Sequence, residues 1–402
     1  MKGQGVRVLL AAYAGALAIL GAGAVVGGVL LYDASGPSDA AEAAADEHTY
    51  NFATWELQHF PHKWVYWLRH LSSGHSGDEQ EQSIHRYFQL TDEIAGLTQE
   101  RTDPERLAAS EAERAGLRAD VEHTIEGRIT GILEDQGLAM RPPLFGDLGL
   151  IFPPVDFELD APPRVLAISP RDRIELDRSF ALEPGLNVEA VSAIERQAES
   201  ANRGEQGVSA LVVGLGGIAT YPSIVSGDDS YSQMIDTAFH EWTHQYLVFF
   251  PLGRSYFSGG ETRTLNESVA QVSGHELARL YFQKYPAVQQ SSVSPQPGFD
   301  ITGEMRALRR EVESLLSEQK VTDAEALMAT KRDEFAAKGY YIRRLNQAYF
   351  AFHGSYADSP ASIDPIGPEL QLLLVQSGSP GSFLRAAAGV TTRSELESLL
   401  GQ

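Results

Sequence analysis

Two periodicities divide the chain. Apolar residues recur at helical spacing over 84–99 and again over 105–137, with Thr102-Asp103-Pro104 breaking the run. The prolines from Pro142-Pro143 to Pro162-Pro163 mark a change of period. Beyond them, Arg164–Ser169 (RVLAIS) and Ile174–Leu182 read as strands, Val188–Ala201 as a helix with Asn187 as N-cap, and Ser209–Val225 as one or two further strands. Helical spacing returns in Met234, Ile235, Ala238, Phe239, Trp242, Tyr246 and Leu247, and Pro251 stops it. A second helix carries Leu265, Val269, Val272, Leu277, Leu280 and Tyr281. After the polar loop Gln289–Gly298, two charged amphipathic helices, about 303–318 and 322–338, resemble an αα-hairpin, and residues 365–402 form a short helical cap. The pattern predicts an α+β, mainly helical fold in which a small mixed sheet packs on a helix pair.

The N-terminus obeys neither period. Residues 8–32 are uncharged and mostly apolar, about 37 Å long as a helix, which is enough to span a bilayer. Lys2 and Arg7 precede this run, and Asp33, Asp39, Glu42, Asp46 and Glu47 follow it, so a single-pass anchor with the bulk of the chain on the extracytoplasmic side is expected. A cleaved signal peptide, with Ala41-Glu42-Ala43 as small residues near the junction, is the alternative. Residues 33–48 read as an acidic tether, and the aromatic stretch Phe52–Leu71 as packing close to the membrane.

Composition narrows the chemistry. The absence of cysteine excludes disulfides, thiolate nucleophiles and cysteine-ligated metal. A net charge of −22 argues against nucleic acid as a partner.

Within the first of the paired helices lies His240-Glu241-Trp242-Thr243-His244. Histidines four apart project from one helix face and can ligate a single Zn2+, while Glu241 is placed to take a proton from a water on that metal. Downstream, Thr264-Leu265-Asn266-Glu267 opens the second helix. A carboxylate in its first turn completes a His, His, Glu site if the intervening Pro251, Gly253, Gly259 and Gly260 let the chain double back; Thr264 and Glu267 equally read as a capping box.

Together, His240-Glu241-x-x-His244-Gln245-Tyr246 and Leu265-Asn266-Glu267-x-x-Ala270 resemble the paired signatures of the gluzincin zinc metallopeptidases, in particular bacterial membrane-associated proteins of aminopeptidase type. The likeness covers about residues 235–275. It implies one Zn2+ per chain on His240, His244 and Glu267, with Glu241 as general base, a peptide or protein as substrate and a zincin-like catalytic core. Two departures stand out. Gln271 occupies the place where many gluzincins have an aspartate that orients a zinc histidine, and the Gly-x-Met-Glu-Asn segment of one large aminopeptidase family is absent, with Gly216-Gly217-Ile218-Ala219-Thr220 the candidate in its place.

Gly216 and Gly217 read either as a bulge in an internal strand or as a place where a substrate backbone approaches closely, a strand beside the metal then offering a free edge to an extended peptide. Asp228 and Asp229 are candidate partners of a zinc histidine. The stretch 339–356 concentrates groups that stabilise an oxyanion or hold a substrate, with aromatic core packing as the alternative reading. Tyr349 and Tyr340 are the first candidates, then Tyr356, and, outside the stretch, His275, with Asn346 and, on the second helix, Asn266 as supporting residues. The expected division is an anchor (1–32), a linker (33–50), a helical subdomain (51–160), the catalytic core (161–288) and a helical C-terminal subdomain (289–402). The rival expectations are a catalytically silent zincin-fold scaffold that binds a partner at the membrane surface, and a metal enzyme acting on another amide such as that of a cell wall.

Overall fold

The computed structural model describes residues 40–52, 55, 77–100, 103–138, 151, 153–200, 207–286, 299–356 and 359–401. The expected anchor, most of the aromatic stretch, the Pro142-Pro143 boundary and the 289–298 loop lie outside these residues. Among the described residues no helix is long and apolar enough to cross a membrane. The fold is mainly helical with two small sheets, an α+β arrangement.

In chain order the elements are α1 (Ala40–Asp46), α2 (Gly77–Glu100), α3 (Pro104–Asp135), β1 (Phe157–Asp160), β2 (Arg164–Pro170), β3 (Arg178–Leu182), α4 (Val188–Ser200), β4 (Val208–Gly214), β5 (Gly217–Ile218) and β6 (Ser223–Ser226). They continue with α5 (Tyr231–Leu247), α6 (Gly260–Lys284), α7 (Ile301–Ser317), α8 (Val321–Ala337), α9 (Gln347–His353), α10 (Ile366–Ser377), α11 (Pro380–Ala387) and α12 (Arg393–Leu399). The Thr102-Asp103-Pro104 break works as its sequence suggests. Asp103 caps α3 by accepting from the Arg106 backbone N–H, and Pro104 fills the first helical position, where no N–H is needed. Asn187 likewise caps α4 by accepting from Ala190 N–H at 2.8 Å.

Three apolar cores result. The largest joins α2, α3, β1, α5, α6 and the C-terminal helices α10–α12, and includes Trp242, Phe239, Leu265 and Tyr281. A second lies between α1, α4 and the sheet β2–β4, and a third within α7–α9. Of the C-terminal helices, α10–α12 pack into the α5–α6 core, while α7–α9 form their own. The stretch expected as a tether is also structured over Ala40–Asp46, where Ala41, Ala44 and Ala45 are buried against the second core. Alanine is the strongest helix former, and these three make a stripe narrow enough to sit close to α4, which a composition reading averages away.

The sheets differ in how their edges are closed. One has the order β1-β6-β5, with β1 parallel and β5 antiparallel to β6; the other is antiparallel with the order β3-β2-β4. Three of the four outer edges are covered. On β1, the N–H groups of Phe157 and Leu159 donate to Glu126 and Glu122, one turn apart on α3. On β4, Ala210 and Val212 donate in the same way to Glu199 and Glu195 of α4, and their carbonyls accept from Asn346 and Arg343. On β3, Ala181 and Glu183 exchange backbone bonds with Tyr50 and His48. Among the described residues only the β5 edge carries no such cover.

If carboxylate capping holds the β1 edge, Glu122→Ala should lower the unfolding free energy by about 1–3 kcal/mol, the cost of a buried N–H left unpaired. Urea unfolding measures this, and an unchanged midpoint and slope would contradict the capping role.

Candidate metal centre

A short polar clamp and a single glycine set the geometry. Ser230 and Gln233 form a capping box that starts α5, so the His-Glu-x-x-His pentapeptide falls in its C-terminal half with both histidines on one face. Gln245 reaches away from the histidines and donates to Thr220 O (2.6 Å) and Ser223 Oγ (2.9 Å), fastening the β5–β6 hairpin to α5. Gly274 lets α6 cross at backbone distance: a Cβ there would lie 3.1 Å from the backbone N of His240 and from the Asp236 carbonyl. A side chain at position 274 would push the two helices apart at the level of the histidine pair.

The crossing brings Glu267 to the histidines. His240 Nε2 and His244 Nε2 are 3.0 Å apart, and Glu267 Oε2 lies 3.6 Å from the first and 3.4 Å from the second. Four-coordinate zinc with bonds of about 2.0–2.1 Å separates its ligand atoms by about 3.3–3.4 Å, so the three donors fit a Zn2+-sized ion, and their N, N, O chemistry suits it. Among the described residues this is the one cluster of three or more such side chains that could hold a metal ion. Glu267 does not occupy the first turn of its helix, and there is no Thr264–Glu267 capping box. The helix α6 begins at Gly260, a full two turns before the carboxylate, because the 251–258 segment supplies a helical turn and a 3-10 turn of its own.

Around the ligand atoms the polar groups have definite partners. Asn266 Oδ1 accepts from His244 Nδ1 at 2.7 Å, while its Nδ2 donates to the Leu252 carbonyl. An acceptor on Nδ1 puts the proton there and leaves the Nε2 lone pair facing Glu267 and His240. Burial works against the charged form of His244, yet the neighbouring Glu267 carboxylate outweighs it and raises the imidazole to about 9. Glu267 is also buried, but the His244 charge and the hydrogen bonds from both imidazoles hold it well below the usual carboxylate range. Glu241 is raised, mainly by burial. Its carboxylate lies against β5: a Cβ on Gly217 would stand 2.8 Å from Glu241 Oε1 and 2.6 Å from Thr237 Cγ2. A Cβ on Gly216 would meet Thr237 Oγ1 at 3.4 Å and Asp229 Oδ2 at 3.8 Å.

The phenols are distributed differently from the sequence expectation. Tyr340 packs on Phe299, and Tyr349 on His353 and Phe350, both in the third core. Only burial raises Tyr349, so no carboxylate of the centre acts on it. Asn346 is consumed as N-cap of α9 and as donor to Ala210 O, which ties the start of this helix to β4 while Tyr349 packs on the third core. Tyr356, beyond the end of α9, does reach the centre, with its ring 6.3 Å from that of His240; burial, then Glu267 and Glu241, raise it well above an ordinary phenol. His275 points elsewhere. Eight residues turn a helix by about 800°, some 80° past Glu267, and His275 is exposed beside Asp236 at 3.3 Å. Asp228 pairs with Arg114 at 2.8 Å, while burial and Asp228 keep Asp229 raised despite a bond from Ser226; neither meets a ligand histidine.

One residue of the centre escapes a reading of the sequence. Tyr256, in the 3-10 turn Tyr256–Ser258, donates its hydroxyl to Glu267 Oε1 at 2.6 Å and stands edge-on to the His244 ring. Burial and the adjacent Glu267 raise its pKa well above the usual value. Its only signal in the sequence is an aromatic in the glycine-rich spacer between the two motifs.

The His244–Glu267 pair fixes a pH dependence. A raised imidazole is protonated at neutral pH in the metal-free protein, so an ion must displace that proton. The affinity of this cluster for a divalent ion such as Zn2+ should therefore rise by about tenfold per pH unit from 6.5 towards 9 and then level off. The same shift stabilises the metal-free fold fully below pH 6.5 and is lost as pH rises through about 9, so the stabilisation that a divalent ion on these residues would confer should grow over this window. Competition titrations against a chelator measure the slope, and a flat profile would rule out a protonated pair.

Comparison with known protein families, with curated proteins and with solved structures gave no match, so the chemistry of this centre rests on its own residues.

Proposed function

We propose that the chain is a zinc metallopeptidase that hydrolyses a peptide bond, held at the membrane by residues 8–32 with its catalytic part on the extracytoplasmic side. The observation that carries this reading is the convergence of His240, His244 and Glu267 within 3.6 Å of one another, directly beside a buried, raised Glu241. Zinc, when bound, lowers the pKa of water towards about 7 and polarises the scissile carbonyl. Glu241 takes the proton of the attacking water and delivers it to the leaving amine; its raised pKa brings the acid and base forms closer to neutral pH, as both transfers require. Tyr356, beside His240 and kept protonated, is the phenol we assign to the oxyanion.

The β5 edge, uncovered among the described residues, gives the substrate class its support. Ser226 N–H donates to Gly216 O, so the alternation of an antiparallel pair turns the N–H and C=O of Gly217 away from β6. An extended peptide pairing with Gly217 would pass in front of Glu241. Aminopeptidase-like preference, suggested by the resemblance, would need a group near Gly216–Thr220 that binds a free amine.

Glu241→Gln should lower turnover of a peptide library by about 10²- to 10⁴-fold while zinc stays bound, and full activity in this variant would remove Glu241 as base. Gly217→Ala should displace the Glu241 carboxyl and the substrate backbone together, costing at least about tenfold in kcat/KM with zinc content unchanged. Wild-type kinetics in that variant would place substrate elsewhere.

A further inference from the structure

We propose that Tyr256 is a positioning residue that fixes how Glu267 coordinates: it holds Oε1, so that Oε2 alone faces the metal and a fourth coordination position stays open. This rests on the zinc-centre reading above. The two carboxylate oxygens have different surroundings. Oε2 faces the imidazole nitrogens at 3.4 and 3.6 Å, while Oε1 accepts the Tyr256 hydroxyl at 2.6 Å. A carboxylate can ligate through one oxygen or both, and the second mode would occupy the position that hydrolysis needs vacant. A strong hydrogen bond on Oε1 removes that option.

Placement favours the assignment. Tyr256 sits on a 3-10 turn packed against α6, and its ring meets His244 at 6.3 Å and 89°, so one side chain braces two of the three ligands. Its neighbour Phe257 faces outward, 60% exposed, which leaves Tyr256 as the inward residue of the turn. The hydroxyl has a single proton, and it is committed to Glu267; Tyr256 therefore cannot also donate to a substrate oxyanion. The two phenols at the centre thus divide the work, Tyr256 on the ligand and Tyr356 on the side of His240.

The test uses the full chain in detergent, stripped with a chelator and reloaded with Co2+ or Zn2+, as wild type and as Tyr256→Phe. Four-coordinate Co2+ absorbs far more strongly in the visible than five- or six-coordinate Co2+. The wild type should give the intense spectrum. Tyr256→Phe, folded by circular dichroism, should give a weaker spectrum of higher coordination and bind zinc about 10- to 100-fold less tightly. Identical spectra and zinc affinities within about twofold would overturn the role of Tyr256 while leaving the metal centre standing. A weak, higher-coordination spectrum in the wild type would overturn it whether or not the variant folds. Failure of the wild type to bind either metal would remove the centre itself, and this assignment with it.

Discussion

The structure depends on one helix crossing. Gly274 brings the α6 backbone against that of His240, and from that contact Glu267 is delivered to two imidazole nitrogens already 3.0 Å apart. The arrangement is costly without a cation: His244 has its proton fixed on Nδ1 by Asn266, so its Nε2 lone pair faces another imidazole and a carboxylate, with Glu241 buried close by. In the metal-free state a proton relieves this, which is what the raised His244 expresses. A divalent ion relieves it better, because it neutralises the carboxylates and accepts all three lone pairs at once. A cluster with this much buried charge is a poor structural element and a good ligand set.

The β5–β6 hairpin is held beside that crossing, and among the described residues every other strand edge is sealed. Glu122 and Glu126 close one sheet edge, and Glu195 and Glu199 the other sheet's, each pair one helical turn apart to match alternate N–H groups of a strand. Gln245, the residue following the second histidine, ties the hairpin to α5 through Thr220 and Ser223. Edge strands invite pairing, and proteins usually blunt them. Among the described residues, the two-residue β5 edge beside the raised Glu241 is the one left uncovered.

Much of this is legible in the sequence where it is local. The histidine pair and Glu241 follow from the motif and the helix period, Asn187 declares itself as a cap, and Thr102-Asp103-Pro104 as a break. Glu267 is recognisable from its motif, but its depth within α6 is not, because Gly259-Gly260 reads as loop although Gly260 starts the helix. Of the oxyanion candidates, Tyr356 lies at the centre, whereas Tyr340 and Tyr349 do not, for a different reason. Tyr340 and Tyr349 stand out in a stretch rich in polar aromatics, and composition cannot tell a phenol in a core from one at a site. Tyr256 is invisible for the converse reason: its partner lies across a turn, and nothing in the periodicity marks a residue between helices. The glutamates that cap the strands read as solvated helix surface, since charge spacing alone does not reveal a strand edge beneath.

The most direct test of the central claim is metal content by elemental analysis of the purified protein, comparing wild type with His244→Ala and Glu267→Ala. The account predicts one zinc per chain in the wild type and its loss in both variants. Zinc lost with His244 but retained without Glu267 would contradict the three-ligand centre. No zinc in any sample after reconstitution would contradict the enzyme reading and leave a scaffold in its place.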